Sequence, residues 1–325
     1  MSFIIEIDLL RAAWVAPIAS PPVRDGAAIV RGGQIVAIGP EAELRRAYPS
    51  ASVTDLGNAV LLPGLVNAHV HLELSDRKAE AKPATFVDWL LQVMAGSPAP
   101  GEAGDAAIAA ATRLGIEQSL RAGVIAVGDI TRSPRITRGV VEATKSLCVV
   151  SYGEVTAMAS RRNLLETRIS AALERHEWVY NAISPHAPYS VEVDGYQRCV
   201  TAARHAGGHH AVGVATHLAE SADEAEFLAE HSGEFRRLWE TIGGWDDAVP
   251  KFKGGPIRMA QAVGLLRKAG GLLAHVNYAD DDELALIAEG RASVVYCPRT
   301  HAYFGHPPHR WRRMLELGIN VAVGT

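Results

Sequence analysis

Hydrophobic and polar positions along this chain fall into two regimes. Over the first 58 residues, short apolar runs at 3–15, 27–31, 34–38 and 52–56 read as strands, with one short helix at 41–48 between them. The Gly32-Gly33 pair is a hairpin turn signal. These runs predict a small antiparallel β unit over residues 1–58, too short to bury a convincing core alone. From residue 59 the pattern becomes apolar runs alternating with amphipathic stretches. Strands are expected at 61–68, 124–130, 147–155, 178–184, 212–216, 271–276, 292–296 and 319–323. Helices are expected at 105–122, 134–145, 161–176, 195–206, 222–230, 257–269, 281–289 and 309–317.

Eight strands alternating with helices imply a parallel sheet, and eight is the number that closes into a (β/α)8 TIM barrel. The expected fold class is therefore α/β, with the barrel over residues 59–325 preceded by the small β domain. An open doubly wound sheet is the alternative, but no G-x-G-x-x-G follows the first strand. Ser221 with Glu224, and Asp280 with Glu283, have capping-box spacing. Residues just before these caps then lie in loops at the C-terminal strand ends, where barrels carry their chemistry.

Composition removes several classes of function. The 325 residues are 48% hydrophobic and 21% charged, which excludes a disordered, collagenous or coiled-coil chain. A net charge of −4 without a basic run argues against a nucleic-acid partner. No apolar stretch of about 18 residues is present to span a membrane. The apolar start is interrupted by Glu6 and Asp8, so it reads as a strand rather than a signal peptide. Cys148, Cys199 and Cys297 lie far apart, which excludes a C-x-x-C zinc site and favours a reducing cytoplasm.

Thirteen histidines are the informative excess. His69 and His71 form H-V-H on the first barrel strand, and residues two apart on a strand face the same side. His217 ends the fifth strand, His275 the sixth, and His186 follows the fourth. Five imidazoles at C-terminal strand ends point to a cation at the barrel mouth, with satisfied core histidines as the alternative. His176, His205, His209, His210, His306 and His309 are assigned to the surface or to helix ends, and Gly207-Gly208 to a helix stop.

Leu61-Leu62-Pro63-Gly64-Leu65-Val66-Asn67-Ala68-His69-Val70-His71, with Thr216-His217-Leu218-Ala219-Glu220-Ser221, resembles the amidohydrolase superfamily. The nearest branch is that of cytosine, guanine and S-adenosylhomocysteine deaminases and chlorohydrolases. The form H-x-H-L-E-L-S at 69–75 is similar to aminodeoxyfutalosine deaminases. This likeness covers nearly the whole chain and implies a barrel plus a small β-sandwich built from both chain ends. It implies that His69, His71 and His217 hold one divalent metal ion, zinc first and iron as alternative. A single ion is expected because no lysine follows the fourth strand, where binuclear members carry a carboxylated one.

By the same resemblance Glu220 is the proton-shuttling carboxyl, His275 lies beside the reacting water, and His186 contacts substrate. Glu73, two residues past His71, and Arg299, after the seventh strand, are further substrate-binding candidates; a surface salt bridge is the alternative for Glu73. Trp89, in the loop after the first barrel strand, either stacks on a base or is core. Residues 231–255, with Phe235, Trp239 and Trp245, form either a lid or a packed excursion.

The family's last ligand is an aspartate in G-T-D after the eighth strand, and this sequence stops at Gly324-Thr325. A piece of a longer protein is therefore expected, lacking that aspartate and the last barrel helix, poor at binding metal and weakly catalytic. The expected activity is removal of ammonia from a purine-nucleoside-like or other nitrogen heterocycle, a small-molecule substrate met by a homodimer. Chlorohydrolase or cyclic amide hydrolase chemistry is the enzymatic alternative, and a non-catalytic barrel scaffold the alternative of another class.

Overall fold

A computed structural model describes residues 6–78, 82–206, 212–267 and 271–325. The expectations for Gly207, Gly208, His209 and His210, and for the first residues of the opening strand, lie outside the described residues. Two compact units divide the chain, Met1–Leu65 and Val66–Thr325.

The first unit contains β1 (Ile7–Val15), β2 (Val23–Arg31), β3 (Gln34–Pro40), α1 (Glu41–Ala47), β4 (Ser52–Asp55) and β5 (Val60–Leu61). Gly32 and Gly33 turn β2 into β3 with φ of 58° and 78°, the left-handed pair that a tight hairpin requires. β1, β2 and β3 pair antiparallel, but β4 and β5 lie parallel to β1. The unit is thus a mixed sheet, not the wholly antiparallel one expected. Crossover through α1 is the cause, because it returns the chain to enter β4 in the direction of β1. Leu9, Ala27, Ile29 and Leu44 form its core. The boundary falls after Leu65 rather than residue 58 because Val60 and Leu61 pair with Trp14 and Val15.

The second unit holds the barrel strands β6 (Leu65–Val70), β7 (Val124–Thr131), β8 (Cys148–Val155), β9 (Tyr180–Pro185), β10 (Val214–Leu218), β11 (Gly271–His275), β12 (Ser293–Tyr296) and β13 (Val321–Val323). They form one sheet in unbroken sequence order. Its ends meet where Thr325 N donates to the His69 carbonyl at 3.0 Å and Asn67 Nδ2 to Thr325 Oγ1 at 3.2 Å. A Cβ on Gly128 would collide with the Ala68 carbonyl oxygen, so only glycine lets β7 approach the His69 strand this closely.

The helices are α2 (Phe86–Ala95), α3 (Glu102–Arg121), α4 (Pro134–Thr144), α5 (Leu165–Leu173), α6 (Val193–Ala206), α7 (Asp223–Glu230), α8 (Gly233–Thr241), α9 (Gly255–Ala262), α10 (Asp281–Gly290), α11 (Pro298–Phe304) and α12 (Trp311–Glu316). Among the described residues no helix is long and apolar enough to cross a membrane. Three helices depart from expectation. α2 takes up the supposed loop around Trp89, started by Thr85, whose hydroxyl accepts from Asp88 N at 3.0 Å. α8 occupies the 231–255 excursion and packs it. Phe235 stacks on Tyr189 with centroids 4.0 Å apart, and Trp239 Nε1 donates to the Tyr189 carbonyl at 2.7 Å. These contacts fix the loop that follows β9. α11 is a short helix directly after β12.

Arg138, on α4, is fully buried beneath β8. It donates to Ser151 Oγ at 2.9 Å and to the carbonyls of Glu174 at 2.7 Å, Ala172 at 2.8 Å and Ser151 at 3.1 Å. Two of these carbonyls lie at the C-terminal end of α5, the negative end of its dipole. Burial lowers the guanidinium to about 10, so it stays a cation at neutral pH. Replacement Arg138→Met leaves those acceptors dry and unpaired. The expected loss is about 3–5 kcal/mol in urea unfolding, with the histidine site otherwise intact.

Candidate functional site

β6, β10 and β11 deliver four imidazoles to one volume at their C-terminal ends. Ring centroids lie 4.9 Å apart for His69 and His217, 5.3 Å for His71 and His217, 5.4 Å for His69 and His275, and 5.5 Å for His217 and His275. Ring nitrogens of His69, His217 and His275 lie within 4.8 Å of one another. His71 joins through His217, with its Nε2 3.2 Å from His217 Nε2. The strand-end histidines named from sequence are thus brought together, His275 as closely as the expected ligands.

The tautomers follow from the outer contacts. His217 Nδ1 faces the His186 carbonyl at 3.0 Å and must donate to it, which leaves Nε2 as a lone pair. That lone pair points at His71 Nε2. Among the described residues the buried His69 Nδ1 has no hydrogen-bond partner. Burial, and then the neighbouring imidazoles, hold His69, His71 and His275 well below the usual histidine range. Burial likewise lowers His217 to about 4. Neutral imidazoles with converging, unshared nitrogens are the donor set that a borderline divalent cation such as zinc takes. The residues fit the ion.

Glu220 stands beside them, its side chain 5% exposed and its Oε1 3.4 Å from His275 Nε2. Burial, with the nearby Glu224, pushes this carboxyl well above its ordinary value, which favours its protonated form. The turn that presents it is held by an acid. Glu224 is buried and accepts from Ala219 N at 2.9 Å, Glu220 N at 2.7 Å and Ser221 N at 3.2 Å. This corrects the capping-box reading of Ser221 with Glu224: the N-cap of α7 is Ala222, and Ser221 Oγ donates to Asp223 instead. Asp280 and Glu283 do form the reciprocal box at α10. The adjacent loop carries His275 and Val276 at φ of 76° and 50°, conformations that persist only where surroundings impose them. Asn277 N and Tyr278 N donate to the Ala219 carbonyl, and Asn277 Nδ2 to that of Glu220 at 3.0 Å, locking the two loops together.

On the other side His186 Nδ1 donates to Ser190 Oγ at 2.7 Å, since the serine hydroxyl itself donates to the Ala187 carbonyl. Burial, and then Arg132, lower His186 to about 3. Glu73 is buried, and its carboxylate accepts from Arg132 N at 2.8 Å and Thr131 Oγ1 at 3.2 Å. These contacts stitch the loop after β7. Arg299 is exposed on α11 and makes no hydrogen bond or ion pair among the described residues, so nothing draws it into the cluster. His306 and His309 lie at helix ends, after α11 and before α12, as expected, and both are half-buried. His309 Nε2 donates to the His275 carbonyl at 2.8 Å and His306 Nδ1 meets the Tyr278 hydroxyl at 3.0 Å, forming a layer behind His275. Sequence reasoning passed over Asp129, which accepts from Leu72 N at 2.9 Å, and Glu154 at the end of β8. The available signal was a single acid in each of two otherwise apolar or small-residue strands.

Comparison with known proteins matches residues 60–325 to the profile of the amidohydrolase family, and residues 29–51 to an imidazolonepropionase-like composite domain of bacteria. A 5-methylthioadenosine/S-adenosylhomocysteine deaminase of Nitratidesulfovibrio vulgaris is 26% identical over 309 residues, covering 93% of this chain and 64% of that protein. The chain therefore spans about two-thirds of the length of such curated relatives. Among solved structures, Helicobacter pylori aminofutalosine deaminase with methylthio-coformycin superposes with a TM-score of 0.82 at 24% identity, covering 98% of this chain and 76% of that one. An adenosine deaminase from Xanthomonas campestris with bound zinc gives 0.73 at 20% identity, covering 98% and 68%. At these identities the structural likeness is one of fold.

Two outcomes test the geometry. Asparagine at His217 should weaken zinc or cobalt binding by the full chain about 100-fold or more, read by titration against a chelating indicator. Asp129, driven up to about 7 by burial against the opposing Leu72 N–H, has a folded pKa above its unfolded 3.8. Its contribution to stability is therefore present below the unfolded value and lost as pH rises through 7. Relative to the wild type, Asp129→Asn should gain roughly 2–4 kcal/mol between pH 4 and pH 8 in urea unfolding.

Proposed function

This chain belongs to the amidohydrolase family, and on that premise we propose that it is a metal-dependent aminohydrolase acting on a nitrogen heterocycle of the purine-nucleoside kind. The single observation that carries the reading is the buried carboxyl of Glu220, its proton affinity raised by burial, set 3.4 Å from His275 Nε2 at the rim of a four-imidazole cluster. The deaminases it resembles support the same assignment.

In this reading His69, His71 and His217 hold one divalent ion, zinc first, as in the zinc-bound relative, and iron second. When bound, such an ion supplies the Lewis acidity that makes water nucleophilic near neutral pH. Glu220 gives its proton to a ring nitrogen of the substrate, which makes the adjacent carbon electrophilic. His275, within reach of the same carboxyl, orients the attacking water and exchanges the proton that must return to the leaving amine. His186 contacts the ring from the β9 side. Loop clamping by Glu224 and Asn277 keeps the acid from turning away while its charge changes. The three free thiols fit a reducing, cytoplasmic setting.

The test is ammonia release from adenosine-like nucleosides by the zinc-loaded full chain. Glu220→Gln should retain the metal and lose turnover about 10²-fold or more, because the amide keeps the shape and not the proton. Unchanged turnover in that variant removes Glu220 from the chemistry. Chloride release from a chlorotriazine, with no ammonia from any nucleoside, replaces the aminohydrolase reading.

A further inference from the structure

A second group of histidines lies in the loop after β12, outside the reacting cluster. His301 Nε2 donates to the Pro307 carbonyl at 2.8 Å and His309 Nε2 to that of His275 at 2.8 Å, so both rings spend a proton on holding the loop. His301 stands between the other two, its ring centroid 5.7 Å from His306 and 6.0 Å from His309. Such a trio suggests a second cation, yet its nitrogens do not converge. Among the described residues only His69, His217 and His275 bring three ligand atoms within 4.8 Å of one another. The charges beside the trio, Lys82 and Arg299, also repel a cation.

What this loop offers is donors. Tyr278 has no other acceptor among the described residues, so its hydroxyl donates to His306 Nδ1 at 3.0 Å. Burial, and then His301 and Lys82, hold His306 below the usual histidine range, so the ring is neutral and its one proton sits on Nε2. That Nε2–H is buried and unpartnered among the described residues, and so is the hydroxyl of Tyr303 on α11. Gly305 turns the chain between them with φ of 72°, the left-handed step that ends α11. Lys82, ahead of α2, reaches this turn. Its Nζ lies 4.0 Å from where a Cβ on Gly305 would stand and 5.9 Å from the Tyr303 ring centroid. Arg299 precedes Tyr303 by one helical turn and shares its face of α11. Among the described residues neither cation forms an ion pair or a hydrogen bond. Two dry donors and two unpaired cations, with no carboxylate bonded to any of them, form a site for negative charge.

We propose that Tyr303, His306 and Lys82, with Arg299 at the edge, bind an oxyanion, a carboxylate or phosphate group, at the C-terminal end of β12. The site takes its ligand whatever reaction the imidazole cluster runs. The probe is inorganic phosphate, titrated calorimetrically into the full chain stripped of metal, so that no ion at the other histidines competes for it. Wild type should bind phosphate with a millimolar dissociation constant or tighter. Tyr303→Phe and Lys82→Gln should each weaken that binding about 10-fold or more, the range of a hydrogen bond to a charged group. Lys145→Gln removes a lysine just before β8, at the opposite end of the barrel, and should change nothing. Adenosine 5′-monophosphate identifies the source of the anion. If it displaces phosphate and binds tighter than phosphate does, the site holds the far end of a charged substrate; if it binds no tighter, the site holds a free anion. Undetectable phosphate binding, an unaltered affinity in either variant, or equal weakening by Lys145→Gln overturns the proposal. Lys82 is exposed, so its variant decides should Tyr303→Phe fail to fold.

Discussion

His71 Nε2 and His217 Nε2 face each other across 3.2 Å, and because the His217 nitrogen is the acceptor there, either an N–H on His71 or a shared cation must occupy the gap. Ring nitrogens of His69, His217 and His275 lie within 4.8 Å of one another, and this convergence is what the rest of the site depends on. Much of the surrounding structure serves to keep that arrangement in place. The His186 carbonyl fixes the His217 tautomer, and the Thr325 amide ties the end of the chain to the His69 carbonyl. Asp129 holds the turn that follows His71. Beneath them, Arg138 staples α4 and α5 to β8 through the carbonyls of Ala172 and Glu174.

The same loss of water acts with opposite sign on the two kinds of titrating group. It drives His69, His71, His186, His217 and His275 toward the neutral form, which is the form that ligates and accepts. It drives Glu220 toward the protonated form, which is the form that donates. Environment alone thus sorts neighbouring side chains into bases without protons and an acid with one. Backbone strain at His275 and Val276 belongs to the same economy of position: left-handed φ at a β-branched residue persists because Ala219 and Asn277 hold both loops.

Period and motif carried much of this into view from sequence. All eight barrel strands lie within a few residues of where alternation puts them, because strands buried on both faces leave near-continuous apolar runs. The H-V-H pair and His217 were legible because strand geometry forces residues two apart to one side, whatever the tertiary packing. What stayed hidden depends on partners far away in sequence. The parallel placement of β4 and β5 follows from a crossover that no local pattern encodes. α2 was written in Thr85 and Asp88 but masked by its position in a long loop. His309 looks like a surface residue until the His275 carbonyl is found opposite it.

Carboxyls show most clearly where local reading stops. Glu220 is marked by the motif that follows His217, but for Glu73, Glu154 and Glu224 the flanking residues do not separate structural ties from site groups. Packing does. Glu224 accepts from three backbone amides and Glu73 from one amide and a threonine hydroxyl, and such an acid is a structural tie whose removal leaves its donors unpaired. Glu220 and Glu154 face ring nitrogens across gaps of 3.4 and 4.0 Å and accept from no amide. An acid of the second kind costs stability in the empty protein and lowers energy only when a third group enters the gap. These two acids flank the imidazole cluster from β10 and β8, and burial raises the proton affinity of both, so the same loss of water that empties the imidazoles of protons loads the carboxyls.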